Sequence, residues 1–372
     1  MELTVRKSDL LPELQLFQGI VERKNTIPIL ANVLIEANGD GTVQLLATDL
    51  EVGLRGRCPA SVAKGGALTI PAKKLYEIVR ALPDTEIHIK EGAKGSVKVS
   101  ADRFDSRMQT LPREDFPTLP ETTDELPAVT LPRAGFREMV GKTQFAITGE
   151  DTRYFLNGAL FVLETGKMNL VATDGHRLAL VSTTRKKAKG EPDELQAILP
   201  KKTLWELARL LVDGEGDLRY TVGENHLFFD VDGRQLISRV IDAQFPAYER
   251  VIPKSNNRKI EFERDRLTSA IKRVALLSSD RSRAVKFSIG KEKIDITSSS
   301  PEVGEATETL PIQSDGDEVE ICFNAQYVLD FLGVADSENV ELDLKDDVSQ
   351  AIMRPVGVEG CDYTYVIMPM RV

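Results

Sequence analysis

The sequence predicts an α+β chain of three similar modules, each ordered helix, strands, helix, strands. Three observations carry that expectation. The stretch Pro71–Pro83 is repeated 129 positions later: Lys73, Leu75, Tyr76, Glu77 and Arg80 are answered by Lys202, Leu204, Trp205, Glu206 and Arg209. The pair Phe116-Pro117 returns as Phe245-Pro246 at the same offset. A length of 372 residues also exceeds one ordinary core and implies two or three domains of roughly 100–150 residues each. In both copies of the repeat the apolar residues fall at i, i+3, i+4 and i+7, one face of a helix, and the bases lie off that stripe. A third, weaker copy at Asn324–Ala335 keeps the stripe in Val328, Phe331 and Leu332 but has Gln326 and Gly333 in place of the bases.

Taken in order, Ser8 or Asp9 is expected to cap a first helix carrying Leu10, Leu14 and Phe17, with Pro12 early enough to be tolerated. Alternating runs around Asn38-Gly39-Asp40-Gly41 form a hairpin. The helix at Pro71–Pro83 and strands EIHIKEG and GSVKVSA complete the first module. The second repeats the order: the helix TLPRAGFREMVGKTQFAI, strands NGALFVLE and MNLVATDGHRLALVST joined by the turn at Thr165-Gly166, the helix LPKKTLWELARLLVDG, and further strands. A third opens with FERDRLTSAIKRVALL, where Leu267, Ala270, Ile271 and Val274 make the stripe. Boundaries near Glu125 and Pro253 give modules 1–125, 126–253 and 254–372. The proline-rich segments DFPTLPETTDELP and FPAYERVIPKSNNRK read as polar linkers.

The net charge is −10, which by itself argues against a nucleic-acid partner. Its distribution points the other way. Lys7, Lys73, Arg80, Arg133, Arg137, Lys142, Lys202, Arg209, Arg266 and Lys272 all fall in helices, while turns and linkers hold much of the acid. For any one helix these bases have an ordinary reading as a solvated face. Repeated on one surface, they would hold phosphate through salt-sensitive, sequence-independent contacts. Three widely separated cysteines and three scattered histidines give neither a disulfide framework nor a metal site, and no cofactor fingerprint is present. Without a signal peptide or membrane span, a cytoplasmic protein is expected.

The stretch Thr173-Asp174-Gly175-His176-Arg177 invites an acid–base interpretation, but the sequence places no nucleophile beside it, and a strand-end turn is the plainer reading. At the other end of the chain, Val366 and Ile367 alternate as a buried strand. Pro369 should eject Met368–Val372 onto a surface, where methionines suit an adaptable pocket.

Thr26–Leu30 (TIPIL), Ala47-Thr48-Asp49, Arg153–Gly158 (RYFLNG), Ala172–Leu178 (ATDGHRL), Phe245–Pro253 (FPAYERVIP) and Tyr365–Val372 (YVIMPMRV) together resemble the bacterial DNA polymerase III beta subunit family, the sliding clamps, over the whole chain. The resemblance implies the DNA-clamp fold: a head-to-tail homodimeric ring of three-domain protomers, with helices lining the hole. The ring would encircle duplex DNA without reading bases and tether the replicative polymerase, conferring processivity without catalysis.

It further implies a partner pocket between the second and third modules. Leu156, Thr173, Gly175, His176, Arg177 and Leu178 would line one side, Pro246, Arg250 and Val251 another, and Val366, Met368, Pro369, Met370 and Arg371 the C-terminal side. Short clamp-binding peptides of the DNA polymerase III alpha subunit, the clamp loader delta subunit, other polymerases and repair proteins would dock there. For DNA, the matching positions are Lys24, Lys73, Lys74, Tyr154, Phe155, Lys201 and Lys202, with the Glu150 loop an electrostatic misfit. Leu276 and Leu277 match the dimer interface, whose first-module side leaves Phe104 and Met108 open. Two other classes stay on the table: an acidic scaffold that binds only proteins, and a hydrolase using Asp174 and His176.

Overall fold

The computed structural model describes residues 1–21, 27–93, 95–149, 152–212, 214–279, 281–314 and 317–371. The sequence expectations at Lys24, Thr26, Glu150 and Val372 therefore lie outside the described residues.

In the first third, β1 (Glu2–Arg6) runs into α1 (Lys7–Phe17). After them come β2 (Asn32–Ala37), β3 (Thr42–Thr48), β4 (Val52–Pro59), β5 (Ser61–Lys64), β6 (Gly66–Pro71), α2 (Ala72–Ala81), β7 (Glu86–Glu91), β8 (Ser96–Ala101) and β9 (Phe104–Gln109). The middle third holds β10 (Ala128–Pro132), α3 (Arg133–Thr143), β11 (Gly158–Glu164), β12 (Lys167–Thr173), β13 (Arg177–Thr184), β14 (Leu195–Pro200), α4 (Lys201–Leu210), β15 (Asp217–Val222), β16 (His226–Val231) and β17 (Arg234–Arg239). The last contains β18 (Arg258–Glu263), α5 (Arg264–Val274), β19 (Ala284–Ile289), β20 (Lys293–Ser300), β21 (Gly304–Pro311), β22 (Val319–Asn324), α6 (Ala325–Leu332), β23 (Asn339–Leu344), β24 (Ala351–Pro355) and β25 (Cys361–Ile367). Each helix is thus entered directly from a strand, a regularity the sequence reading missed. For α1 this displaces the expected cap: the helix already begins at Lys7, its N-cap Arg6 makes no side-chain capping bond, and Pro12 sits in its interior.

Contacts gather the chain into two units. The first comprises Met1–Arg137, Ala188–Pro192 and Lys202–Val240, and the second Glu138–Lys187, Asp193–Lys201 and Ile241–Val372. In the first, a five-stranded sheet runs β5-β1-β7-β8-β9 and an eight-stranded one β10-β15-β16-β17-β4-β3-β2-β6. The larger sheet crosses the boundary expected near Glu125, because β17 pairs antiparallel with β4, Ile237 opposite Gly53 and Leu236 opposite Leu54. The second unit repeats this arrangement. Its eight-stranded sheet, β14-β11-β12-β13-β25-β24-β23-β18, crosses Pro253 through β13 and β25, with Leu178 opposite Val366, and a four-stranded sheet runs β21-β20-β19-β22.

The amphipathic stripes bury as their period requires: Leu10, Leu14 and Phe17 of α1, Leu75 and Val79 of α2, Leu204 and Leu207 of α4, and Val328, Phe331 and Leu332 of α6 are all core residues. Aromatic stacking consolidates both interiors, Tyr220 on Phe229 at 4.9 Å in the first unit and Phe331 on Tyr365 at 5.3 Å in the second. The two proline-rich segments are not solvated linkers. Phe116 and Leu119 join the apolar cluster of Leu34, Leu46, Phe228 and Ile237. Phe245, Tyr248, Val251 and Ile252 pack on that of Leu160, Val171, Leu178 and Val366. Each is a strap laid across an apolar sheet face that would otherwise stay wet.

Candidate functional site

The conspicuous local structure of the second unit is the turn between β12 and β13. The Thr173 hydroxyl donates to the Arg177 carbonyl at 2.6 Å and accepts the Gly175 N–H at 3.1 Å. One Asp174 oxygen accepts the N–H groups of His176 and Arg177 at 2.9 and 3.0 Å. This is the local capping that Asp and Thr favour in turns. Gly175 adopts φ +88°, open to glycine at no steric cost. The other Asp174 oxygen takes the Nε of Arg177 at 3.0 Å. Both Asp174 oxygens are thereby engaged in holding their own turn, as the plainer reading of this stretch expects.

The first unit contains the same turn. Thr48 donates to the Val52 carbonyl at 3.0 Å and accepts from Leu50 N–H at 3.0 Å, and one Asp49 oxygen accepts from Glu51 and Val52. Leu50 stands at φ +77° where Gly175 stands in the second unit. There Asp49 ties the turn to α4 through Lys202.

Behind the second turn, Arg177 is only 9% exposed. Its Nη2 donates to the Phe145 carbonyl at 2.7 Å, its Nη1 pairs with Asp330 on α6, and the guanidinium lies 4.3 Å over the Tyr327 ring. The C-terminal segment closes the same region. After β25 the chain leaves the sheet, as Pro369 leads one to expect, and Met368 N–H donates to the His176 carbonyl at 2.9 Å. Met370 N–H donates to Cys322 at 2.7 Å.

The residues expected to line a pocket all fall in this second unit. Leu156, Leu178 and Val366 are buried; Val251 is half-buried with the strap; Thr173, Pro369 and Met370 are half-buried; Gly175, His176, Pro246, Arg250, Met368 and Arg371 are exposed. Leu178 and Val366 belong to one apolar floor on which Phe155, Tyr248 and Val251 pack. The exposed His176 and Met368, each next or nearly next in sequence to a floor residue, are joined by a backbone hydrogen bond, chemistry suited to an extended peptide with apolar anchors. Arg177 is the exception, its guanidinium consumed by internal partners.

The basic positions separate by environment. In the first unit Lys73 is exposed, Lys74 pairs with Glu77 at 2.9 Å, and Lys202 is held by Asp49 and the Ile20 carbonyl. In the second unit Lys201 donates to the Ile147 carbonyl at 3.0 Å, and burial, with the Arg177 charge adding to it, lowers its pKa. Tyr154 is exposed and meets Phe155 edge-on at 6.2 Å, while Phe155 packs on the apolar floor. Two bases assigned to an outward face are instead buried. Arg133 binds Asp232 at 2.6 Å and the Leu210 carbonyl at 3.2 Å. Lys142 pairs with Glu138, with Asp336 at 3.3 Å and with the Cys361 thiol at 3.4 Å. Off-stripe position cannot tell a solvated base from one that reaches around the helix to a distant acid.

Leu276 is 78% exposed and Leu277 half-buried. On the edge strand β9, Phe104 is exposed and lines a groove of about 380 Å³ with Ile78, Ala81 and Leu82, whereas Met108 does not line it. Trp205, exposed on α4, was not singled out as a surface residue because its helical position placed it merely off the stripe. Among the described residues no group of His, Cys, Asp or Glu could hold a metal ion, and no helix is long and apolar enough to cross a membrane.

Comparison with known proteins covers the whole chain. Family models for the N-terminal, central and C-terminal domains of the DNA polymerase III beta subunit match residues 1–120, 130–247 and 249–371. The chain is 38% identical to a beta sliding clamp of Pseudomonas putida and 37% identical to that of Escherichia coli, over the full length of both partners in each case. Among solved structures, a DNA polymerase sliding clamp from Pseudomonas aeruginosa superposes with a TM-score of 0.91 at 35% identity. One from Caulobacter crescentus gives 0.90 at 35%, and a sliding clamp from Bartonella birtlesii bound to griselimycin gives 0.92 at 36%. All three structures are covered completely, as is this chain.

Proposed function

The chain belongs to the DNA polymerase III beta subunit family, and on that premise we propose that it is a DNA sliding clamp whose protomers close head-to-tail into a homodimeric ring around duplex DNA. The observation that carries this reading is the match of all three family domains, in order, with nine residues between the first and second and one between the second and third. Each protomer contributes three domains, 1–125, 126–253 and 254–372. The ring works by topology: enclosure of the duplex, not base recognition, keeps a tethered polymerase on its template, so the protein supplies processivity and performs no chemistry. Lys24, Lys73, Lys74, Tyr154, Phe155, Lys201 and Lys202 are assigned to the DNA side, with Lys73 the readiest to meet a phosphate and Lys202 chiefly holding Asp49; such contacts position without specifying. Leu276 and Leu277 of one protomer meet the first domain of the next. On that side Phe104 is the better candidate than Met108, because it is the one that lines an apolar groove.

Peptides of the polymerase alpha subunit, the clamp loader delta subunit and other polymerases and repair proteins dock on the apolar floor of the second unit, in the cytoplasm. The arrangement that supports this is the floor that includes Leu178 and Val366, with Val251 packed on it and His176 and Met368 joined beside it by a backbone hydrogen bond. The test is retention on circular DNA. The protein, loaded by its clamp loader on a nicked circle, is expected to stay through gel filtration and to be lost once the circle is cut. Equal retention on cut and uncut circles would exclude enclosure, and no DNA association at any salt would favour a scaffold that binds only proteins.

A further inference from the structure

Helix α6 departs from its two counterparts in having lost their bases, yet it keeps their acid: Asp330 stands, relative to the buried stripe, where Glu77 stands in α2 and Glu206 in α4. Each acid has a different partner. Glu77 pairs with Lys74 and Glu206 with Arg209, both on their own helices. Asp330 instead reaches Arg177, on the first residue of β13. We propose that Asp330 is a positioning residue for the partner-peptide site, holding the Thr173–Arg177 turn in its docking conformation through Arg177 without touching the peptide. This rests on the reading of that face as the peptide site.

The connections are continuous. Gln326 Nε2 donates to Asp330 at 2.7 Å, and Asp330 accepts from Arg177 Nη1. Arg177 Nε donates to Asp174 at 3.0 Å, and the second Asp174 oxygen holds the N–H groups of His176 and Arg177. The His176 carbonyl, so oriented, accepts the Met368 N–H. Turn and C-terminal tail, the two borders of the apolar floor, are therefore fixed to each other and to α6. Tyr327, one turn before Asp330, covers the guanidinium face at 4.3 Å, and its carbonyl accepts the Tyr365 hydroxyl at 2.8 Å. A planar guanidinium hydrogen-bonded at its edges, with the Tyr327 ring at 4.3 Å and the Phe145 ring at 5.2 Å, has little freedom, which is why arginine rather than lysine suits the position.

The first unit supplies an internal comparison. Its equivalent turn is also tied to a helix, among the described residues through Asp49 and Lys202 of α4. The backbone bond from the following strand is common to both turns, since Arg239 N–H donates to the Glu51 carbonyl at 2.9 Å as Met368 N–H does to that of His176. But Val52 stands in the first turn where Arg177 stands in the second and offers no guanidinium to a second carboxylate. The two-carboxylate arrangement occurs where the turn has a second task.

The experiment uses the full-length protein and a fluorescent clamp-binding peptide derived from a polymerase C-terminal segment, read by anisotropy. Asp330→Asn keeps the shape and removes the charge; affinity is expected to fall about tenfold. Backbone amide exchange should quicken at 173–177 and 368–371 while exchange in the rest of the chain and the particle mass by light scattering are unchanged, a pattern that general destabilisation would not give. Asp330→Glu is expected to restore most of the affinity. Tyr327→Leu strips the stacking face but leaves every hydrogen bond of Arg177, and a several-fold loss is expected; it also serves if Asp330→Asn fails to fold. Affinity within twofold of the parent for both Asp330→Asn and Tyr327→Leu overturns the positioning role. Failure of the unaltered protein to bind peptide overturns the underlying site assignment instead.

Discussion

Replacing the basic residues one at a time should reveal a ranking that their positions in the sequence do not contain. Lys73 has no ion pair or hydrogen bond among the described residues and is free to meet a phosphate. Lys74 must first leave Glu77, an exposed pair worth about 0–1 kcal/mol. Lys202 is held by Asp49, a carboxylate only 7% exposed, which its removal would strand. A lysine that neutralises one phosphate contributes about 0.9 to the slope of log K against log salt. From 50 to 200 mM salt, log concentration changes by about 0.6, so each such lysine accounts for ~0.5 log unit, or about 3.5-fold. In a dimer with two copies, Lys73→Ala should therefore reduce the affinity lost over that range by roughly tenfold. Lys202→Ala should change the slope little and lower stability instead. The assay is anisotropy on short linear duplex over a salt series, where topological retention cannot mask contact strength. A larger slope change for Lys202→Ala than for Lys73→Ala, or none for either, would refute the reasoning.

Other expectations follow from particular contacts. Leu276→Asp places a charge on the most exposed large apolar side chain among the described residues; light scattering should give particles near the 41.2 kDa chain mass in place of dimers, and a persistent dimer would remove Leu276 from the interface. Gly175→Ala costs about 1–2 kcal/mol for the left-handed backbone, less about 0.4–1 kcal/mol recovered from the unfolded chain. The added Cβ would lie 2.9 Å from Arg153 Nη1, so that guanidinium, which donates to the Asp174 carbonyl, must shift, while Leu50 already tolerates the equivalent backbone conformation. A urea-unfolding loss above about 3 kcal/mol would contradict this account. Burial, the largest single influence on each, would raise the Glu138 pKa and lower that of Lys142, but their mutual hydrogen bond and charge, with the Cys361 thiol adding to both, together outweigh it, so Glu138 is lowered and Lys142 raised. The pair's contribution is thus complete between about pH 5 and 10. It is lost as pH falls through the Glu138 value or rises through that of Lys142. Stability curves of the parent and Lys142→Met should differ most inside that window and converge outside it; parallel curves would show that the pair contributes nothing pH-dependent.

The sequence alone determined the six helices, most hairpins, the repeat and the family. Those signals are local: a 3.6-residue stripe buries one face wherever it lies, and Gly166 or the Gly39–Gly41 turn reverses the chain by its own conformational freedom. Tertiary structure decided which strands meet. The pairings of β17 with β4 and of β13 with β25 join segments far apart in the chain through backbone bonds that carry no side-chain signature, so the sheets cross boundaries that composition placed at polar prolines. It also decided the fate of the charges. Lys73 reaches water, Arg133 and Lys142 turn inward to distant acids, and Arg177 is captured by Asp330 from 153 residues away, because a long flexible cation goes to whichever carboxylate the fold brings within reach.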